Sequence, residues 1–310
     1  MRILVGVDGS EASLIALEQI RNTVWPTGTQ VRLVGAYELP VDWTGAAPFP
    51  SGTGSEDEAQ SNLVDALQAL VDPLRRSGHA ADAVLARGRA ADVLLAEAED
   101  LHADLIVVGS RGLGVAASAL LGSVSSALVD NSACPVLVAR VPAVTRILLA
   151  TDGSRSAEAI PAVLLAWNVF RDARIRVLSV APPRSSGNRP LLPSIWTGDD
   201  QAVDASHEVD RHRVMAGEMA ARLLAGGWLA EGAFRRGEAA REIEAAAVEW
   251  GADLIITGSR GLSGLRRLLL GSVAHHVLLH SEISVLVMRG HVPSPERRAV
   301  QRPATAKVAG

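Results

Sequence analysis

One stretch of this chain occurs twice, and the two copies constrain the fold more than any other feature. Ala103–Gly112 reads Ala-Asp-Leu-Ile-Val-Val-Gly-Ser-Arg-Gly, and Gly122-Ser123-Val124 follows after nine residues. Ala252–Gly261 repeats the pattern, with nine residues before Gly271-Ser272-Val273. The copies keep a constant offset of 149 residues without a gap. An offset this regular indicates two copies of one structural unit.

Each copy consists of a short apolar run, a glycine-rich loop and a Gly-Ser pair that begins a helical pattern. Close-packed backbone N–H groups and the positive end of a helix dipole attract phosphate. The pattern therefore predicts two nucleotide-binding units. For one isolated copy, the glycines would be read as ordinary turn residues, but two copies with equal spacing argue against that interpretation.

Strand patterns alternate with helical patterns through the first half, and the second half repeats the order. The predicted strands of the first half are Arg2–Val7, Val31–Tyr37, Ala83–Ala86, Leu105–Val108 and Val136–Ala139. Ser10 is a good N-cap for the first helix, and Pro73 should kink or shorten another. Two Pro- and Gly-rich segments, Glu38–Gln60 and Ala181–Val203, are predicted as loops. The alternation predicts a parallel α/β sheet in each half.

Composition limits the type of core, the binding partners and the cellular compartment that we expect for this protein. Aromatic residues are only 3% of the chain, while 48% is hydrophobic, so aliphatic cores are expected. A net charge of -4 gives no general reason to expect nucleic-acid binding. The single cysteine, Cys134, excludes an intramolecular disulfide framework and fits a reducing compartment. Neither a signal peptide nor a membrane span is indicated, so we expect a soluble, cytoplasmic protein without nucleic-acid or membrane partners.

The duplication predicts two domains, residues 1–140 and 146–289, followed by a tail. Only Arg140–Arg146 separates them, which is too short a linker for independent domains, so the halves should pack together. Residues 290–310 contain three prolines and four basic residues with little to bury. We expect this tail to be disordered and basic.

The position of the loops predicts a binding crevice. In an open parallel sheet, ligands bind beyond the carboxyl ends of the strands, where the strand order reverses. Asp8-Gly9-Ser10 follows the first predicted strand and Gly109–Gly112 follows the fourth. If these strands are neighbours, the two loops flank one crevice. Gly122-Ser123 would present helix N–H groups and a hydroxyl there, and Asp8 could bind a ribose or help to hold a metal.

Gly-x2-Gly-x9-Gly-Ser after a strand, coupled to an N-terminal strand that ends in Asp, resembles the ATP-binding class of the universal stress protein family. Both halves match this motif in full. The resemblance implies two tandem Rossmann-like α/β domains of the HUP (adenine nucleotide alpha hydrolase-like) group. Each would hold a five-stranded parallel sheet ordered 3-2-1-4-5 and flanked by helices. It also implies ATP with Mg²⁺, adenine near the second strand, and homodimer contacts through the fifth strands.

The residues implied as nucleotide ligands follow from this resemblance. In the first half they are Gly6, Val7, Asp8, Gly9, Ser10, Ala36, Gly109, Ser110, Arg111, Gly112, Gly122, Ser123, Val124 and Ser125. In the second half they are Thr151, Asp152, Gly153, Ser154, Val180, Gly258, Ser259, Arg260, Gly261, Gly271, Ser272 and Val273. Asp8 and Asp152 are the candidate Mg²⁺ contacts.

The halves differ at positions that bear on this site. Ala274 replaces Ser125, Ala150 replaces Gly6, and the nine-residue spacer of the second half gains Arg266 and Arg267. Cys134-Pro135 becomes Ile283-Ser284. We therefore expect the second site to bind nucleotide differently, with arginines partly replacing hydroxyls.

Three functions are compatible with these features. The first is a nucleotide-dependent regulatory stress-response protein that acts on an unidentified protein partner. The second is a slow ATP hydrolase, although no adjacent nucleophile and base are visible and no P-loop lysine occurs. The third is an interaction module that binds no nucleotide. His276 and His280 lie four residues apart, but without a third ligand in sequence they are interpreted as surface or groove-facing histidines rather than a metal site.

Overall fold

The computed structural model describes residues 1–38, 56–112, 121–183, 198–259 and 270–289. The first half contains β1 (Arg2–Gly6), α1 (Glu11–Asn22), β2 (Gln30–Tyr37), α2 (Glu56–Arg76), β3 (Ala80–Arg87), α3 (Ala90–Leu101), β4 (Leu105–Gly109), α4 (Ser123–Asn131) and β5 (Val136–Ala139). The second half contains β6 (Arg146–Thr151), α5 (Arg155–Glu158), α6 (Ile160–Trp167), β7 (Arg174–Ala181), α7 (Gly198–Ala225), β8 (Leu229–Arg236), α8 (Ala239–Trp250), β9 (Leu254–Gly258), α9 (Ser272–His280) and β10 (Ser284–Met288). Strands and helices alternate in both halves, as the sequence predicts.

The described strands form one sheet in the order β3-β2-β1-β4-β5-β10-β9-β6-β7-β8. Within each half the order is the predicted 3-2-1-4-5, and every pairing is parallel. The two five-stranded sheets are continuous, because β5 and β10 pair antiparallel. The strand order reverses beside β1 and β6, which puts the carboxyl ends of β1 and β4, and of β6 and β9, next to each other.

The junction between the halves is nearly symmetric. Leu137 of β5 faces Leu286 of β10, and these residues occupy equivalent positions in the repeat. Arg140 donates a hydrogen bond to the Leu278 carbonyl (2.7 Å), and the equivalent Arg289 donates to the Val129 carbonyl. Burial, with a smaller effect of Arg111, lowers the pKa of Arg140 to about 10, so this guanidinium stays charged at neutral pH.

The fifth strands therefore meet within a single chain. A second copy of the chain cannot pair with either of these edges while they pair with each other. The expected homodimer stays a prediction, and it would have to use another surface.

Helices cover both faces of the sheet, and the strands alternate their side chains between two cores. In β1, Ile3 and Val5 belong to the core that also contains residues of α1, α2, α6 and α7, whereas Leu4 belongs to the core that contains residues of α3, α4, α8 and α9. Both cores consist mainly of Ala, Val, Leu and Ile, as the composition predicts. Their extent explains how the halves form a continuous structure.

Both predicted loops are wrong at their carboxyl-terminal ends, and most of the rest of each lies outside the described residues. α2 begins at Glu56 and α7 at Gly198, so each helix starts inside a segment that was predicted as loop. Pro73 lies inside α2, and the helix ends three residues later at Arg76, in agreement with a shortened last turn. The third strand is longer than predicted, since β3 spans Ala80–Arg87. None of the helices in the described residues is long and apolar enough to cross a membrane.

Candidate functional site

In the first half, the loops after β1 and β4 lie against each other. The strands themselves are paired, with Ile3 opposite Leu105. A Cβ atom at Gly112 would lie 2.6 Å from Oδ2 of Asp8, so a larger residue here would displace this carboxylate. The Ser10 hydroxyl donates to the Arg111 carbonyl at 3.4 Å. The two loops thus meet at one crevice, as the sequence predicts.

Local hydrogen bonds explain how the first loop holds its shape. Ser10 Oγ accepts from Ser13 N at 3.2 Å, which makes Ser10 the N-cap of α1. Asp8 Oδ1 accepts from Ser10 N at 3.0 Å. Gly9 has a φ of 79°, a left-handed conformation that glycine adopts without strain. The exposed Asp8 carboxylate is therefore held at the mouth of the crevice.

Gly109 is constrained by the close packing of α1, and its implied role as a nucleotide ligand stays a prediction. A Cβ atom at Gly109 would lie 2.5 Å from the carbonyl carbon of Ala12 in α1. The glycine therefore allows α1 to pack closely on the end of β4. Gly122 N donates to the Ser110 carbonyl at 2.7 Å, so this N–H is already engaged. The exposed Ser123, at the first position of α4, retains the predicted location beside the loop.

Ser125 has a structural hydrogen bond. Its hydroxyl donates to the Gly109 carbonyl at 2.8 Å, and the residue is only 4% exposed. The bond fastens α4 to the end of β4. The implied role of Ser125 as a phosphate ligand stays a prediction. In the second half Ala274 occupies this position and is also buried, so the equivalent side-chain bond is missing there.

The second half encloses a cleft at the equivalent place. Seven of its predicted site residues line this cleft: Thr151, Asp152, Val180, Gly258, Gly271, Ser272 and Val273. Ala150, the counterpart of Gly6, lines it too, together with Ile243 of α8. Val180 in β7 thus lies at the cleft, and Ala36 has the same position in β2. Arg260, Gly261, Arg266 and Arg267 lie outside the described residues.

The loop after β6 repeats the geometry of its counterpart. Asp152 Oδ1 accepts from Ser154 N at 2.9 Å, and Ser154 caps α5. Gly153 has a φ of 74°, close to that of Gly9. Ser259 is buried, and its carbonyl accepts from Gly271 N at 2.9 Å, as Ser110 does from Gly122.

A polar cluster behind this second loop was missed in the sequence. His212 Nδ1 lies 2.8 Å from the Ser179 hydroxyl, which also donates to the Thr151 carbonyl at 3.0 Å. A Cβ atom at Gly153 would lie 2.8 Å from Met215 Cε. Burial, and next the positive charge of Arg211, lower the pKa of His212 below its ordinary value. The sequence carried one signal for this cluster, because His212 stands where the repeat has Leu63.

A parallel sheet ordered 3-2-1-4-5, with loops that meet beyond its first and fourth strands, defines a Rossmann-like α/β domain, and this chain contains two of them. The model of the universal stress protein family matches residues 1–140 and 143–289. The chain therefore belongs to the universal stress protein family.

Individual relatives agree with this assignment. A universal stress protein of Mycobacterium tuberculosis is 27% identical over 304 residues, which cover 93% of this chain and 96% of the relative. One from Thermus aquaticus is 34% identical over 138 residues, 44% of this chain and 97% of the relative. Among solved structures, a universal stress protein from Archaeoglobus fulgidus has a TM-score of 0.63 at 21% identity and covers 94% of this chain and 98% of its own. At that identity the likeness supports the fold alone.

Proposed function

We propose that the protein binds an adenine nucleotide, ATP with Mg²⁺, and acts as a nucleotide-dependent regulatory protein of the stress response rather than as a fast enzyme. The observation that carries this proposal is the crevice between two loops in each half. A carboxylate, Asp8 or Asp152, lies at one side of the crevice, and a helix N-terminus that begins with Gly-Ser lies at the other. Such a helix terminus favours phosphate, and a carboxylate oxygen is a ligand that Mg²⁺ accepts.

The chain's own residues would divide the binding between them. The apolar Val180 and Ala36 would contact the adenine, since both lie at the cleft end of their strands. Ser123 and Ser272, at the first positions of α4 and α9, would bind phosphate through hydroxyl and N–H groups. Bound Mg²⁺ would neutralise phosphate charge beside Asp8 or Asp152.

We expect any hydrolysis of ATP at this site to be slow. Ser179 and His212 form a pair within hydrogen-bonding distance, but Ser179 is completely buried and cannot reach a ligand in the cleft. A nucleophile must contact the reacting atom, so this pair does not support a hydrolase. Regulation would instead arise if bound nucleotide biased conformation or assembly toward a protein partner.

Native mass spectrometry of the untagged protein with ATP and Mg²⁺ tests the proposal. Gly122→Glu and Gly271→Glu each place a bulky anion where phosphate would approach, in the first and second half respectively. Gly217→Glu is the matched control, because Gly217 is exposed on α7 with open space around it. We expect two nucleotides per wild-type and control chain, and one per chain in each cleft variant.

Other outcomes discriminate between the functions. One nucleotide per wild-type chain, lost in Gly122→Glu alone, would restrict the proposal to the first half. No binding by the wild type would overturn it and favour the nucleotide-independent interaction module. Release of phosphate over many turnovers would identify a hydrolase, whereas an ATP-dependent change in oligomer mass would support the regulatory role.

A further inference from the structure

Three side chains that can bind metal meet between α8 and α9. Glu244 lies on α8, and His276 and His280 lie one turn apart on α9. One ligand atom from each of the three lies within 4.8 Å of the other two. Glu244 Oε2 is 3.8 Å from His276 Nε2, and the two imidazole rings stack with centroids 4.1 Å apart. Glu244 is therefore a candidate third ligand beside the two histidines, which the sequence alone did not reveal.

The hydrogen bonds of the cluster leave ligand atoms available. His280 Nδ1 lies 2.9 Å from the His276 carbonyl, and a proton on Nδ1 would donate to that oxygen. This tautomer leaves the Nε2 lone pair of His280 for a metal, and such a backbone contact orients many metal-binding histidines. Glu244 Oε1 is buried and has no hydrogen-bond partner among the described residues. A buried carboxylate oxygen without a partner is costly, and a cation bound by the same carboxylate would offset that cost.

The first half shows that the fold does not require this cluster. α3 packs on α4 as α8 packs on α9. The positions of Glu244, His276 and His280 are occupied there by Leu95, Ala127 and Asn131. Leu95 packs against the core, as expected for this helix face. The second half thus has potential ligands at three positions where the first half has Leu, Ala and Asn, and these positions converge in space although they are separate in sequence.

We propose that Glu244, His276 and His280 bind a divalent transition-metal ion of the zinc class, with water completing the coordination. Two imidazoles and one carboxylate are a common ligand set for Zn²⁺ and leave a fourth position open. Imidazole nitrogens favour zinc and related ions over Mg²⁺ and Ca²⁺, which prefer oxygen. None of the three residues lines the nucleotide cleft, so this proposal does not depend on nucleotide binding.

Such an ion would connect α8 to α9, the helix that begins at the Gly271 loop. Because it would bind the folded chain and not the unfolded one, it would raise the unfolding temperature. For each proposed ligand, the residue at the equivalent position of the first half provides a substitution that this fold accommodates.

The test uses the full, untagged, chelator-treated chain without nucleotide. Zn²⁺ affinity and stoichiometry are measured by competition with a chromophoric chelator, and Co²⁺ provides visible absorption that reports coordination. The variants are Glu244→Leu, His276→Ala and His280→Asn. His275→Ser is the matched control, because His275 is an exposed neighbour on α9 whose counterpart is Ser126.

We expect one Zn²⁺ per chain, with affinity about 100-fold or more lower in each ligand variant, since loss of an outer contact alone costs about 10–100-fold. The control should bind as the wild type does. Zn²⁺ should also raise the thermal midpoint of the wild type and control, but not of the ligand variants. Equal Zn²⁺ affinity in wild type and all three ligand variants would overturn the proposal, as would absence of wild-type binding or loss of binding in His275→Ser alone.

Discussion

The two halves have the same sheet and the same loop geometry, but they differ in the atoms that surround each cleft. Gly109 and Gly258 end equivalent strands, β4 and β9, and a Cβ atom at either would lie 2.5 or 2.6 Å from a neighbouring atom. At Gly109 the obstacle is the backbone of Ala12, whereas at Gly258 the nearest atom is the Ser156 hydroxyl. One glycine is thus fixed by main-chain packing and the other by a side chain that can rotate.

The side-chain hydrogen bonds beside the two loops also differ between the halves. The first half fastens α4 to β4 through Ser125, and the second half has Ala274 there. Conversely, Ser179 and His212 form a hydrogen-bonded pair behind the second loop, where the repeat has Gly35 and Leu63. The comparison teaches that the repeat preserves the positions that shape the backbone, while the side chains behind the loops diverge.

The largest difference in unfolding free energy is expected between the variants Gly109→Ala and Gly258→Ala. A Cβ atom at Gly109 would overlap main-chain atoms that cannot rotate away, so α1 must shift, and overpacking of this kind costs about 3 kcal/mol. At Gly258 rotation of Ser156 relieves most of the contact, and we expect about 1 kcal/mol. Urea unfolding monitored by circular dichroism measures both. Equal losses of unfolding free energy would show that the two strand ends are packed alike.

A smaller effect on the unfolding free energy is expected from two separate variants, Ser125→Ala and Ala274→Ser. Ser125→Ala removes the bond to the Gly109 carbonyl and should lower the free energy of unfolding by about 1 kcal/mol. Ala274→Ser introduces a hydroxyl at the equivalent point of α9, and we expect no loss of stability from it. The same urea titrations provide the values. If Ser125→Ala kept full stability and lost only nucleotide affinity, the hydroxyl would act as a ligand rather than as a structural link.

Repetition made much of the fold predictable. Two equally spaced copies of a strand, a loop and a helix indicated a parallel sheet in each half, and the family resemblance supplied its strand order. The cap at Ser10 followed from the residue type alone, because few side chains satisfy a helix N-terminus. The starts of α2 and α7 were not predictable from local pattern, since both lie in segments interrupted by proline and glycine.

The site was less predictable where contacts depend on packing between distant elements. Ser125 reaches the Gly109 carbonyl, and Glu244 reaches His276, only because helices pack together at particular angles. The pairing of β5 with β10 inside one chain likewise depends on how the halves meet. For Glu244 the repeat itself carried a signal, because a leucine at that position in the first half becomes a carboxylate in the second.

The smallest expected effect is the loss of unfolding free energy that protonation of His212 causes at acidic pH. Burial holds the pKa of His212 below its ordinary value of 6.5, so the unfolded chain takes up this proton first as the pH falls. The folded state keeps its full stability above about pH 6.5 and loses part of it below. His212→Leu introduces the residue found at this position in the first half. We expect this variant to lose less unfolding free energy at acidic pH than the wild type does. The difference should be smaller than those expected for the glycine and serine variants.

Urea midpoints of wild type and His212→Leu at neutral and mildly acidic pH measure this difference. Burial also lowers the pKa of His79 in the first half, but His79 is present in both proteins and cancels from the comparison. His275→Ser is the matched control, because it removes an exposed histidine of α9 that is not part of this polar cluster. An unchanged pH dependence in His212→Leu would mean that the folded protein accepts a charge at His212, and therefore that water reaches the space behind the Asp152 loop.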